Sequence, residues 1–179
     1  MMKTKLCCFD FDGTLIDTPV ASPENKQKWA DYHKASQWPY KGWWGRPESL
    51  DRNVWEMNPI PEVYKDYVKC KKDPANLVIM LTGRIESQSG LVKDILDENG
   101  MYFDHYFFNR GGNTLNEKIK YLNMVLQKYP EIRDVELWDD RPKHFGEFKN
   151  WGQEMKANGR IDSFYLNEIQ SDQWANFVE

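Results

Sequence analysis

The sequence predicts an α/β domain, a parallel sheet sandwiched between helices with a small tryptophan-rich cap insert. Three observations lead there. Apolar strand-like runs alternate with segments of helical periodicity, the pattern of a sheet covered on both faces. The residues with chemical potential stand where those runs stop: Asp10 and Asp12, then Thr82 to Arg84, then Asp139 and Asp140. That is the carboxyl edge at which parallel sheets bind ligands. Finally, 179 residues make one domain with a real core and fall short of two, so one unit over 1–179 is expected, with an insert at about 18–60.

The elements follow in order. Lys5 to Phe11, "KLCCFDF", reads as a first buried strand. Pro61 to Lys71 carries Val63, Tyr64, Tyr67 and Val68 at helical spacing, with proline in the first turn. Asn76 to Thr82, "NLVIMLT", is a short β-branched run stopped by Gly83, as in a buried parallel strand. Leu91, Ile95 and Leu96 share one face of a helix from Glu86 to Asn99, with Gly100 as its stop. His105 to Asn109 is a weaker strand, followed by a helix from Asn116 to Tyr129 that Pro130 ends. Asp134 to Asp140 again runs apolar into paired acids. A helix from Lys143 to Asn158 and a strand from Ile161 to Asn167 complete the alternation, a Rossmann-like order.

Composition narrows the function classes. Lys and Arg number 24 against 28 Asp and Glu, a net charge of -4, which excludes a generally nucleic-acid-coating surface and leaves room for a local groove. Cys7, Cys8 and Cys70 form no zinc spacing and no disulfide framework, as in a reducing cytoplasm. The N-terminal apolar stretch is broken by Asp10 and Asp12, unlike a leader or a membrane span, so a soluble protein without membrane partners is expected. Five of the eight tryptophans, Trp29, Trp38, Trp43, Trp44 and Trp55, fall in the insert.

Two acids two residues apart at the end of a buried strand need compensation, because an unpaired buried carboxylate costs several kcal/mol. A metal ion is the obvious source. "DFDGT" at this place resembles the first motif of the haloacid dehalogenase (HAD) superfamily of aspartate-nucleophile phosphohydrolases, "LTGR" its second, Lys118 in "NTLNEKIK" its third and "WDDR" its acidic fourth. The resemblance covers about residues 5 to 150 and implies a HAD-like fold.

It also implies roles. Asp10 attacks phosphorus to give an aspartyl-phosphate, and Asp12 protonates the leaving oxygen, then takes a proton from water. Mg2+ is the implied cofactor, held by Asp10, the Asp12 carbonyl and an acid of "WDD"; Asp140 matches the ligand position and Asp139 assists. Thr82 and the Gly83 amide face the phosphate oxygens, and Lys118 steadies their charge. Gly13 frees the turn and Thr14 ties the loop.

The insert motif "GWWGRP", with Trp29, resembles that of the HAD domain of Swiss Army Knife RNA-repair proteins, as do the following "DDR" and His144. The phosphatase half of polynucleotide kinase-phosphatases is similar in "GR" and "DDR". Both imply a phosphorylated substrate such as a nucleic-acid 3' end or a nucleotide, with Arg84, Arg141 and Arg46 near phosphates and Trp43 or Trp44 stacked on a base. Against a long strand, Pro19 to Ile60 holds six basic and five acidic residues. The tryptophans equally suit a mini-core or a cover for the site; His33 and His144 suit surface or hydrogen-bonding positions, and His105 a strand edge. A small-metabolite or sugar-phosphate phosphatase and a non-catalytic binder of RNA ends are the alternatives.

Overall fold

The computed structural model describes residues 1–174; the last five of the expected 1–179 unit lie outside the described residues. The described residues form a five-stranded, wholly parallel sheet in the order β3-β2-β1-β4-β5, with β1 Lys5–Phe9, β2 Asn76–Ile85, β3 His105–Asn109, β4 Asp134–Asp139 and β5 Ser163–Glu168. Helices α1 Pro23–Tyr32, α2 Pro61–Lys71, α3 Ser89–Glu98, α4 Thr114–Lys128 and α5 Pro142–Ala157 complete it. None is long and apolar enough to cross a membrane.

Alternation along β1 divides the core. Cys7 and Phe9 face a cluster with Val63 and Tyr67 of α2 and Val92, Ile95 and Leu96 of α3. Leu6 and Cys8 face Leu122, Val125, Phe148 and Trp151 of α4 and α5. Chain order reverses between β1 and β4, so the crevice at their carboxyl ends is the natural ligand position.

The structure moves several expected boundaries. β1 stops at Phe9, not Phe11: Asp10 N–H still bonds Trp138 O at 3.0 Å, but then Leu15 and Ile16 N–H fold back on Phe11 O at 3.1 and 3.2 Å. Gly13, at φ +67°, permits that turn. β2 runs on through "TGR" to Ile85 because its pairing with β3 shifts between Leu81 and Ile85, a bulge that re-aims the intervening side chains. The helix expected from Glu86 splits into a 3-10 turn, Glu86–Gln88, and α3. Its end is as read: Gly100 N–H bonds Asp97 O at 3.0 Å and Met101 N–H bonds Leu96 O at 3.0 Å around a left-handed glycine. α4 starts at Thr114 because the Asn113 side chain caps Asn116 N–H at 3.1 Å.

The insert carries α1, absent from the sequence reading, and a 3-10 turn at Pro47–Leu50. Its two ends are zipped together: Asp17 N–H bonds Asn58 O at 2.8 Å and Ile60 N–H bonds Leu15 O at 3.0 Å. Inside, Trp29, Trp38, Trp43 and Trp55 contact one another in sequence, with ring centroids 5.2, 4.9 and 5.6 Å apart, and join the Phe9 side of the core.

Candidate active site

A cavity of about 160 Å3 opens at the carboxyl ends of β1, β2 and β4. Asp10, Asp12, Gly83, Lys118, Asp139 and Arg141 line it together with Trp44 of the insert. Residues as distant in sequence as Asp10 and Arg141 thus meet because parallel strands end on one edge.

Asp10 follows β1 directly. Its Oδ1 accepts from Lys118 Nζ at 2.9 Å and its Oδ2 from Thr14 Oγ1 at 3.2 Å. Lys118 reaches in from α4, almost wholly buried, and also donates to Asp139 Oδ2 at 2.7 Å. Asp139 Oδ1 accepts the Arg141 backbone N–H at 3.0 Å. Asp140 differs: Oδ2 accepts from Trp174 Nε1 at 3.1 Å, while the buried Oδ1 has no partner.

Asp10, Asp139 and Asp140 each bring a carboxylate oxygen to within 4.8 Å of the others. Burial pushes the Asp10 carboxyl up to about 6 even though Lys118 opposes it. Burial, then the charges of Asp10 and Asp139, push Asp140 up to about 9. Burial alone lowers Lys118, but the two carboxylates outweigh it and hold the ammonium above its ordinary value. Three hard oxygens, one orphaned, under mutual repulsion are the donor set a small divalent cation fits. Gly13 is needed here for room as well as for φ: a Cβ on it would stand 2.2 Å from Asp140 Oδ2.

Asp12 lines the same cavity, but its carboxylate is outside the three-acid cluster. It is held by Arg84, whose Nε and Nη2 donate to Oδ1 at 3.1 and 2.7 Å and whose Nε also reaches Oδ2 at 2.9 Å. Arg84 was expected against phosphate. It does line the cavity, but its side chain is 1% exposed and its hydrogen bonds run to Asp12 and to Trp44 O, Ser49 Oγ and Gln88 Oε1. Thr82 is buried, its hydroxyl oxygen accepting Arg84 N–H at 3.1 Å. Gly83 lines the cavity where a Cβ would meet Thr114 Cγ2 at 2.6 Å.

Two expected contacts move away. Trp43 is 3% exposed inside the insert, its Nε1 donating to Pro19 O at 3.0 Å, so it has no face left for a base. Arg46 pairs with Glu48 and lies 4.0 Å over the Tyr40 ring, outside the cavity lining, because the turn at Pro47 directs it along the insert. Trp44 does line the cavity and stacks on Trp174 at 4.9 Å; Arg141 covers Trp174 at 4.4 Å.

Sequence reasoning missed Thr114 and Trp174 as lining residues. Trp174 follows the last strand in a 3-10 turn, Asp172–Trp174, that folds back over the site, and no motif marks it. His144, noted only as a match, is buried against the cavity with Nδ1 unpartnered, and burial with Lys118 nearby lowers it to about 4, leaving a neutral ring.

Comparison with known proteins places this geometry. Residues 25–175 match the model for HAD domain family 1 in Swiss Army Knife RNA repair proteins. The uncharacterized protein YMR265C of Saccharomyces cerevisiae is 27% identical over 169 residues, 83% of this chain and 37% of the relative, so the chain spans little more than a third of that protein's length. Among solved structures, the HAD domain of effector protein Lem4 from Legionella pneumophila superposes with a TM-score of 0.54 at 12% identity, covering 97% of this chain and 90% of that one. SP0104 from Streptococcus pneumoniae, a hydrolase of the haloacid dehalogenase-like family, gives 0.51 at 12% identity, covering 90% and 93%. At such identities the likeness is one of fold.

Proposed function

Because the chain belongs to HAD domain family 1 in Swiss Army Knife RNA repair proteins, within the HAD superfamily, we propose that it is a magnesium-dependent phosphomonoesterase acting on a nucleic-acid 3' end or a nucleotide, with residues about 18–60 as its cap. The observation that carries this is the convergence of Asp10, Asp12, Lys118 and Asp139 on one small cavity, with a carboxylate oxygen of Asp140 within 4.8 Å of those of Asp10 and Asp139.

Asp10 is the nucleophile: one carboxylate oxygen bonds to phosphorus as the bond from phosphorus to the ester oxygen breaks. Asp12 gives that departing oxygen a proton and later takes one from the water that hydrolyses the aspartyl-phosphate. Lys118 spends two of its three donors on Asp10 and Asp139 and keeps the third for a phosphoryl oxygen. The Thr82 hydroxyl, an acceptor toward Arg84, keeps its proton for the same use. Asp10, the Asp12 carbonyl and Asp140 would hold Mg2+, with Asp139 steadied by Lys118 beside them; when bound, the ion neutralises the crowded negative charge and orients the phosphate.

A cavity of about 160 Å3 is smaller than the ~300–1,000 Å3 of sites that enclose a whole ligand. It suits a phosphoryl group whose carrier stays outside, beside Trp44, which stacks on Trp174 with one face; a base on its other face would gain about 1–3 kcal/mol. Buried free thiols at Cys7, Cys8 and Cys70 support work in a reducing cytoplasm. The near balance of charge in the insert favours the second reading, a small-metabolite or sugar-phosphate phosphatase.

A panel of 3'-phosphorylated and 5'-phosphorylated oligonucleotides, mononucleotides and sugar phosphates, each with Mg2+ or EDTA, separates these. The expected result is Mg2+-dependent phosphate release, fastest from a 3' end or a nucleotide. Preference for a sugar phosphate would install the second reading, and binding of RNA ends without turnover would leave a non-catalytic module.

A further inference from the structure

Asp12 is gripped from two sides, and both arms end on one residue of the insert. On one side Arg84, besides its bonds to the carboxylate, sends Nη1 to the Trp44 carbonyl at 3.1 Å. Gln88 Nε2 donates to that same carbonyl at 2.9 Å, and its Oε1 accepts from Arg84 Nη1 at 2.9 Å. On the other side Thr18 Oγ1 donates to Asp12 Oδ1 at 2.8 Å and accepts from Gln173 Nε2 at 2.9 Å. Gln173 Oε1 then accepts from the Trp44 indole N–H at 3.2 Å.

The result is a closed ring, Asp12 to Arg84 to Trp44 to Gln173 to Thr18 and back. Thr18, Arg84, Gln88 and Gln173 are all buried, where hydrogen bonds are strong and a missing partner is costly. Asp12 Oδ1 takes three donors and Oδ2 one, so Oδ2 is the less engaged of the two oxygens. Thr18, Gln88 and Gln173 do not line the cavity; Trp44 does.

We propose that Gln173, Thr18 and Arg84 are positioning residues that tie the aim of Asp12 to the seating of Trp44, so that a substrate filling the cavity against Trp44 sets the orientation of the proton donor. This rests on the phosphomonoesterase reading. In the step concerned the proton leaves Asp12 Oδ2 for the ester oxygen, which takes the electron pair of its breaking bond to phosphorus while Asp10 forms the new one. Gln173 suits the bridge because an amide donates and accepts at once.

The test is Gln173→Met in the full chain with Mg2+, on two substrates: the best alkyl phosphate of the panel and p-nitrophenyl phosphate, whose leaving group departs without a proton. General acids contribute about 10²–10⁴-fold, so losing the aim of one is expected to lower kcat/KM on the alkyl ester about 10–100-fold and on p-nitrophenyl phosphate by less than about threefold. Equal losses on both substrates, or none, would overturn the proposal. Thr18→Val, which removes the hydroxyl at constant shape, gives the same measurement if Gln173→Met does not fold. Asp12→Ala separates the two levels: if that variant shows no dependence on leaving group, the role of Asp12 itself fails; if it does and Gln173→Met and Thr18→Val do not, only the ring fails.

Discussion

Lys118 Nζ lies 2.7 Å from Asp139 Oδ2 in a buried ion pair, side chains 5% and 4% exposed. The same ammonium reaches Asp10 at 2.9 Å. With the Arg141 backbone on its other oxygen, Asp139 is fully engaged, whereas Asp140 keeps an oxygen with no partner. Of the adjacent acids, therefore, Asp139 is the one paired with lysine, and Asp140 is the one we propose as the direct ligand of a cation.

Removing one member of a buried pair leaves the other charge stranded, at a cost of about 3–5 kcal/mol. Lys118→Met is expected to lose that much unfolding free energy in EDTA, measured by urea denaturation, and to lose phosphate release as well. An unchanged urea midpoint would mean that the pair does not form in solution.

The acids set a pH dependence opposite to that of ordinary salt-bridged carboxylates. Asp10 and Asp140 are pushed up to about 6 and about 9, above the 3.8 of a free side chain, so the folded protein holds protons that the unfolded chain releases. Their contribution is fully present below about pH 4 and is lost as pH rises toward 9. In EDTA the Tm of the wild type should fall across that window more steeply than that of Asp140→Asn, and Mg2+ should restore most at the alkaline end. Thermal scans from pH 5 to about 9 check this; parallel curves for the two proteins, with or without Mg2+, would contradict it.

The adjacent tryptophans should behave differently. Trp43→Ala opens a hole in the insert's core and should cost about 3–5 kcal/mol by denaturant melt. Trp44→Ala, at the cavity wall, should cost less stability and change kcat/KM across the substrate panel. Matching stability losses would remove the distinction.

Gly13→Ala combines a left-handed backbone with a Cβ 2.2 Å from Asp140 Oδ2. We expect more than about 1 kcal/mol of destabilisation and, because Asp140 must shift, Mg2+ affinity weakened about 10–100-fold by calorimetric titration. Affinity equal to the wild type would take Asp140 out of the ion's shell.

Much of this was legible because strand periodicity and parallel topology bring the ends of β1, β2 and β4 together whatever the details. Asp10, Asp12, Gly83, Lys118 and Asp139 line one cavity for that reason. Other features depend on packing that periodicity does not carry. Trp43 and Trp44 are identical neighbours, and only the fold of the insert turns one inward and the other to the cavity. Arg84 looked like a phosphate ligand because a guanidinium suits either anion; the bulge in β2 gives it to Asp12. Gln173 and Trp174 carried no signal beyond a polar and an aromatic residue after the last strand, and they reach the site only because the chain folds back there.

The most direct measurement is phosphate release by Asp10→Asn with Mg2+ on the best substrate of the panel, alongside its melting temperature. The account predicts a rate at least about 10⁴-fold below wild type in a protein that still folds and melts cooperatively, since Lys118 keeps Asp139 as its partner. A variant that turns over within about tenfold of wild type would contradict Asp10 as the nucleophile.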